Sequence, residues 1–255
     1  MRMWARDNST HESDQNSGLA AADFSGDPGE ETDYALKSIE ECDLNTVLEM
    51  YHYTNGTILE LNGFLSDAIH EYREAIRLNP AEGFYHYNLG VALLKNCEYN
   101  DAYKELCEAI RLNPEDYESR CALGDVYCAI GRSLMACGNL LEAIDSFREA
   151  VAIDPDYSDY HCGLGQALLE LARSDEAHIN EEHLVNAIAE FRTALGIDPE
   201  SMDARISLGM ALSLSQDQCL RTEGLKLLNE VLIAEPFNDD VRSCIDALTA
   251  GSHTA

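Results

Sequence analysis

Apolar and small side chains recur along this chain at the spacing of one helix face, and the whole pattern then repeats. In AIHEYREAIRLNP (Ala68–Pro80) they fall at Ala68, Ile69, Tyr72, Ala75 and Ile76, with polar residues between. Steps of three and four place them on one stripe, and the closing proline cannot continue a helix. The arrangement returns as AYKELCEAIRLNP (Ala102–Pro114), AIDSFREAVAIDP (Ala143–Pro155) and AIAEFRTALGIDP (Ala187–Pro199). A degenerate copy is GLKLLNEVLIAEP (Gly224–Pro236). Seven residues, EAIRLNP, occur verbatim at Glu74–Pro80 and Glu108–Pro114, 34 residues apart. Each copy reads as helix B of a two-helix unit, with its stop signal.

Upstream of four copies lies a Leu-Gly pair inside another helical pattern: Leu89-Gly90, Leu123-Gly124, Leu164-Gly165 and Leu208-Gly209. Glycine costs helix propensity there, so close approach of helix B is the expected compensation. A 34-residue helix–turn–helix with Leu-Gly, an Ala-x-x-x-aromatic start to helix B and a terminal proline resembles the tetratricopeptide repeat family. The family's tyrosine after Leu-Gly is matched by Tyr127, and its helix-B aromatic by Tyr72, Phe147 and Phe191. Its tryptophan ahead of Leu-Gly is missing; His86, Arg120, His161 and Arg205 stand there. The resemblance spans about residues 47–238. It implies an all-α fold, a right-handed α-solenoid of stacked antiparallel helix pairs, with about five units. Their expected bounds are 49–82, 83–116, 117–157, 158–201 and 202–238, followed by a capping helix over 239–250. A short helix is expected over 34–46, and disordered ends over 1–33 and 251–255.

The array departs from its own rule in three places. From the Leu-Gly glycine to the helix-B alanine is 12 residues for Gly90–Ala102, but 19 for Gly124–Ala143 and 22 for Gly165–Ala187. From Gly209 to Gly224 it is 15. All three excesses are expected between helices A and B, projecting from one edge. The first, Arg132–Gly138, suits a lengthened hairpin, since seven residues are about two helical turns. The second, Ser174–His183, is acidic and reads as a loop. Such insertions mark a binding face or are tolerated surface variation. In the first unit Asn55-Gly56 replaces Leu-Gly, and this turn dipeptide predicts a break in helix A.

Composition narrows the function. With 47 acidic against 17 basic residues, the chain carries a formal charge of −30. That disfavours nucleic acid, whose phosphates require Lys and Arg, and docking on an anionic membrane. A basic or neutral partner fits better. Nine cysteines without framework spacing read as free thiols of a reducing compartment. The opening MRMWARDNSTHESD lacks an apolar stretch of signal-peptide length and is too acidic for a transit peptide. A cytoplasmic location is therefore expected.

No nucleophile elbow, phosphate loop, dinucleotide glycine loop or HExxH is present, so no enzyme activity and no cofactor are expected. HINEEH (His178–His183) spaces its histidines five apart, off a common helix face, and reads as a solvated turn. DPDYSDYH (Asp154–His161) lacks the glycine and terminal glutamate of a calcium loop and reads as a helix cap. Cys121 and Cys128 share a helix face without a second ligand pair. No metal site is expected.

If the family geometry holds, helix A of each unit lines a concave groove. The groove residues are then Tyr53; Phe84, Tyr87, Asn88 and Val91; Asp125; Asp159, Cys162 and Gln166; and Asp203. Aromatic groups concentrate at its N-terminal end and acidic groups at the other. This suits a basic or amphipathic segment of a protein partner in an assembly or regulatory complex. The aromatics also suit packing between neighbouring A helices. The family's chaperone carboxylate clamp is excluded: of its positions, filled here by Tyr53, Thr57, Asn88, Glu118 and Ala122, only Asn88 matches. Two alternatives remain. One is a self-assembling structural protein, a homo-oligomer stacked through the ends of the array. The other is autoinhibition, with Trp4 of the acidic N-terminal segment docked in the groove.

Overall fold

The computed structural model describes residues 44–174 and 179–251, the side chains of 247–251 excepted. The expected acidic tail with Trp4, most of the expected short helix at 34–46, residues 252–255 and part of the Ser174–His183 loop lie outside the described residues. Within them the chain forms eleven helices and no strand. They are α1 (Leu44–Leu61), α2 (Leu65–Leu78), α3 (Gly83–Lys95), α4 (Tyr99–Leu112), α5 (Tyr117–Ala136) and α6 (Leu140–Ile153). Then follow α7 (Ser158–Ala172), α8 (Glu181–Ile197), α9 (Met202–Ser213), α10 (Gln218–Ala234) and α11 (Asp239–Gly251).

Odd and even helices pack as five pairs, and each pair packs on the next, so the described residues from Leu44 to Gly251 form a solenoid. Each even helix buries the stripe read from sequence: Ala68, Ile69, Tyr72 and Ala75 in α2, for example, and Ala187, Ile188, Phe191 and Ala194 in α8. Side-chain oxygens of Asp116, Asn180, Ser201 and Asp217 accept backbone N–H groups at the starts of α5, α8, α9 and α10. At α11 the cap is Asn238, whose side-chain oxygen accepts from the Val241 N–H. Val241 is buried against Leu228 and Val231, closing the last pair.

The Leu-Gly expectation holds at Gly90, Gly165 and Gly209, each facing its own helix B, although only Gly90 has the regular spacing. A Cβ on Gly90 would stand 2.6 Å from Leu106, and one on Gly165 2.7 Å from Phe191. Asn55-Gly56 does not break α1, which is continuous through it. Gly56 is buried, and the Tyr72 ring sits where its side chain would be, 2.8 Å from the Cβ position. Tertiary contact overrides the local turn preference.

The third pair takes up its extra seven residues as added helical turns, all of them in helix A. The extra seven residues do not open a loop between helices; α5 has 20 residues where α3 has 13, and α6 keeps 14. Gly124 faces the next pair's Tyr160, while Gly131 takes the helix-B aromatic, with Phe147 2.9 Å from its Cβ position. Gly131 to Ala143 is again 12 residues. The helix thus holds two registers, one toward the preceding pair and one toward its own partner. Its Ala122 and Val126 belong to the core formed with α2–α4; its Cys128 belongs to the core of α6–α9.

Candidate functional site

The odd helices α3, α5 and α7 line two neighbouring clefts. The first, about 420 Å³, has Tyr87, Val91 and Leu94 of α3 facing Tyr117, Glu118, Cys121 and Asp125 of α5. The second, about 290 Å³, continues from Leu94 and Asp125 to Arg132 of α5 and to Tyr157, Asp159 and Tyr160 around the start of α7. Leu94 and Asp125 belong to both, so the clefts form one groove across three A helices. The positions that reach it follow from helix geometry: Glu118, Cys121 or Ala122, and Asp125 recur at steps of three and four on one face of α5.

The groove is firmly built. Tyr160 is buried and donates its hydroxyl to Asp125 Oδ1 at 2.8 Å and to the Cys121 carbonyl at 3.2 Å. Burial first, then this carboxylate, holds its phenol far above the usual range. Tyr117 donates to Asp154 Oδ2 at 2.9 Å, which fixes the opposite wall. Lys95 at the cleft edge is paired with Glu60 at 2.6 Å, and Glu60 also accepts from the Tyr72 hydroxyl at 2.7 Å. The local potential is negative. The Tyr87 phenol is raised by burial and then by Glu118, Asp116, Glu60 and Asp125; the Tyr157 phenol by burial and then by Asp125 and Asp159, against the opposing charge of Arg132.

The expected groove residues divide into three groups. Tyr87, Val91, Asp125 and Asp159 meet in the two clefts. Phe84 and Tyr53 extend them as an aromatic run: Phe84 stacks on Tyr87 with centroids 6.2 Å apart, and Tyr53 lies 5.4 Å from Phe84 and 5.3 Å from Tyr85. Tyr53 therefore packs across from α1 to α3, while Phe84 is half exposed. Asn88 turns back on its own helix, donating to the Phe84 carbonyl at 2.7 Å. Gln166 and Asp203 are exposed on α7 and α9 and line neither cleft. Cys162 is a correction: it is buried among Ala194 and Ala204, with its thiol pushed up to about 11 by burial, and it takes no part in the groove. Sequence reasoning missed Leu94, Tyr117, Tyr157 and Tyr160. Tyr117 directly follows the Asp116 cap of α5 and Tyr157 is itself the N-cap residue of α7, where a helix-face argument does not reach.

The positions that replace the family tryptophan share one structural task. His86 Nε2 lies 3.2 Å from the Pro80 carbonyl and His161 Nε2 2.9 Å from that of Pro155. Arg120 and Arg205 donate to the carbonyls of Pro114 and Pro199 at 3.3 and 2.6 Å, and Arg242 to that of Pro236. The other nitrogen of each histidine faces helix B, at 2.7 Å from Glu105 and Glu190; His52 meets Glu71 at 2.6 Å. Each side chain clasps the turn that ends the preceding unit.

No three His, Cys, Asp or Glu side chains converge as a metal site among the described residues. In HINEEH, Asn180 caps α8 through the N–H groups of Glu182 and His183; His178 lies outside the described residues. The eight described cysteines are free thiols. No helix among the described residues is long and apolar enough to cross a membrane.

Two family patterns match the chain: a tetratricopeptide repeat over residues 53–117 and a TPR repeat over 131–171. The second match opens at Gly131, the residue that restores the regular spacing in α5. The chain carries tetratricopeptide repeats. Among solved structures, YrrB, a TPR protein with an unusual peptide-binding site, is similar at 19% identity and TM-score 0.52. That match covers 82% of this chain and 95% of YrrB. A MamA structure matches at 20% identity and TM-score 0.54, covering 76% of this chain and 94% of the other. MamA 41-end from Desulfovibrio magneticus RS-1 matches at 18% and 0.54, covering 75% and 97%. These likenesses are of fold. No curated protein sequence matches significantly. Proteins with such repeats are generally non-catalytic scaffolds that bind other proteins.

Proposed function

We propose that this chain is a non-catalytic interaction scaffold that holds a basic or amphipathic segment of a partner protein in the groove of α3, α5 and α7. The carrying observation is the joined pair of clefts, the first with an apolar floor, lined by Glu118, Asp125 and Asp159, with Arg132 in the second. Apolar and aromatic contacts supply most of the affinity of such a site, while the carboxylates steer a cationic partner to it. The same charge repels nucleic acid and acidic chaperone tails. The half-exposed Phe84, stacked on Tyr87, extends the apolar surface beyond the first cleft. The peptide-binding site of YrrB gives a precedent on a similar fold. The test is a pull-down from native lysate with the intact chain and a Phe84→Ala/Tyr87→Ala variant, at low and high salt. A partner lost with the variant and weakened by salt supports the proposal. A partner retained at equal yield by the folded variant refutes it.

A second reading, self-association, rests on α1, where Leu44, Val47, Met50, Tyr51 and Ile58 are all at least half exposed. Light scattering across a concentration series checks it. Assembly that grows with salt, which screens the repulsion between like-charged chains, favours this reading.

A further inference from the structure

The first cleft has a shape and a charge layout more specific than a general acidic groove. Its floor is apolar, made by Val91, Leu94 and Ala122. Its walls are two phenol rings, Tyr87 and Tyr117, one from each helix. Its two carboxylates, Glu118 and Asp125, stand seven residues apart on α5. At 1.5 Å per residue that is about 10 Å along the helix. One guanidinium or ammonium group does not bridge this distance, so the two carboxylates require two cations.

Lys95 lines this cleft, and Arg132 lines the second cleft together with Asp125. Lys95 is drawn to Glu60, with its nitrogen 2.6 Å from Oε1. Asp125 is oriented in advance by the Tyr160 hydroxyl, so little ordering is needed when a cation arrives. The Tyr87 phenol, raised by burial and by four surrounding carboxylates, reports a negative field between the walls.

We propose that this cleft reads two long basic side chains three residues apart, with one apolar residue between them on the floor. The proposal rests on the groove reading above. A chain in the polyproline II form places residues i and i+3 on one face about 9 Å apart, which matches the carboxylate separation. The methylene stems of Arg or Lys lie along the apolar floor while their heads reach the rim. The phenol faces add cation–π attraction, for which arginine is the better partner.

The probes are three labelled peptides of equal length. One carries arginines three residues apart around a leucine. A second has the same composition with the arginines adjacent. A third replaces both arginines by norleucine. Binding to the full chain is read by fluorescence anisotropy at low ionic strength. The spaced peptide is expected to bind at least about fivefold tighter than the adjacent one, and the norleucine peptide weakest of all. Glu118→Gln/Asp125→Asn should remove that preference. Glu142→Gln/Asp145→Asn, which takes the same charge from exposed positions of α6, should leave it.

Equal binding of the spaced and adjacent peptides overturns the proposal, as does equal loss from the two double variants, which would mark a diffuse response to net charge. Absence of any peptide binding overturns it too. In each of these outcomes a partner lost from the Phe84→Ala/Tyr87→Ala pull-down still upholds the scaffold reading, so the two failures are distinguishable.

Discussion

The second and third pairs are built from nearly the same signals and solve different problems. In the second, the Leu-Gly glycine meets its own helix B: Gly90 sits 12 residues before Ala102 and against Leu106. In the third, the Leu-Gly glycine, Gly124, faces Tyr160 of the next pair, and Gly131 takes the place against its own helix B, facing Phe147. The difference is one heptad. Seven residues turn a helix through about 700°, some 20° short of two full turns, so the buried face is kept while the chain advances about 10 Å. A TPR array thus accepts a change of register in the middle of a helix, where an unmatched number of residues would misplace every later pair.

The strongest way to break this comparison is to change that number. Deleting residues 125–131 restores the regular spacing from Gly124 to Ala143 and should leave a folded, fully helical chain. Deleting residues 125–129 leaves the helix face about 140° out of register. The core of α6–α9 should then fail to form, with loss of most C-terminal helicity by circular dichroism and early cleavage beyond residue 140 by limited proteolysis. Equal folding of both deletions would show that the α5 register does not matter.

A smaller effect compares the two helix-B plugs. Phe147 is fully buried and fills the approach of two glycines, Gly131 and Gly163, whereas Leu106 fills that of Gly90 alone. Phe147→Ala should cost about 4 kcal/mol and Leu106→Ala about 3 kcal/mol in urea unfolding. Gly131→Ala, whose Cβ would press on the Phe147 ring, should cost about 1–3 kcal/mol through overpacking. A neutral Gly131→Ala would remove its assigned role.

The same two pairs show what the sequence made legible. The five units were readable because EAIRLNP and Leu-Gly are local patterns fixed by burial. The excess of seven residues was countable, but its place was not, because a near-integral number of turns suits a longer helix as well as a longer hairpin. The missed signal was the interval of 12 from Gly131 to Ala143. At Asn55-Gly56 the turn preference was visible and the Tyr72 ring that overrides it was not, since it arrives from another helix. In the groove, Tyr87, Val91 and Asp125 follow from their offset to Leu-Gly once the family geometry is assumed. Tyr160 and Leu94 do not, because their roles depend on the angle between neighbouring pairs. Cys162 is likewise buried by groups from other helices, Ala194 and Ala204.

The smallest effect separates the clasps at the missing-tryptophan position. In the second pair the clasp is His86; in the third it is Arg120. His86 faces acceptors at both nitrogens, the Glu105 carboxylate and the Pro80 carbonyl, and only the imidazolium donates to both. Its pKa is accordingly raised, by Glu105 first, against burial, and then by the Pro80 carbonyl. A raised folded value fixes the sign. The clasp contributes fully below the unfolded value of about 6.5 and is lost as pH rises through the higher folded value. Arg120 stays charged throughout this range. Urea midpoints of the intact chain and of His86→Arg, taken between pH 5 and 9, isolate the difference, since the other histidines are common to both. The intact chain should lose about 1 kcal/mol, the size of one hydrogen bond, relative to the variant as pH rises. Parallel curves would mean that the two clasps are equivalent and that the His86 proton has no part in holding the turn.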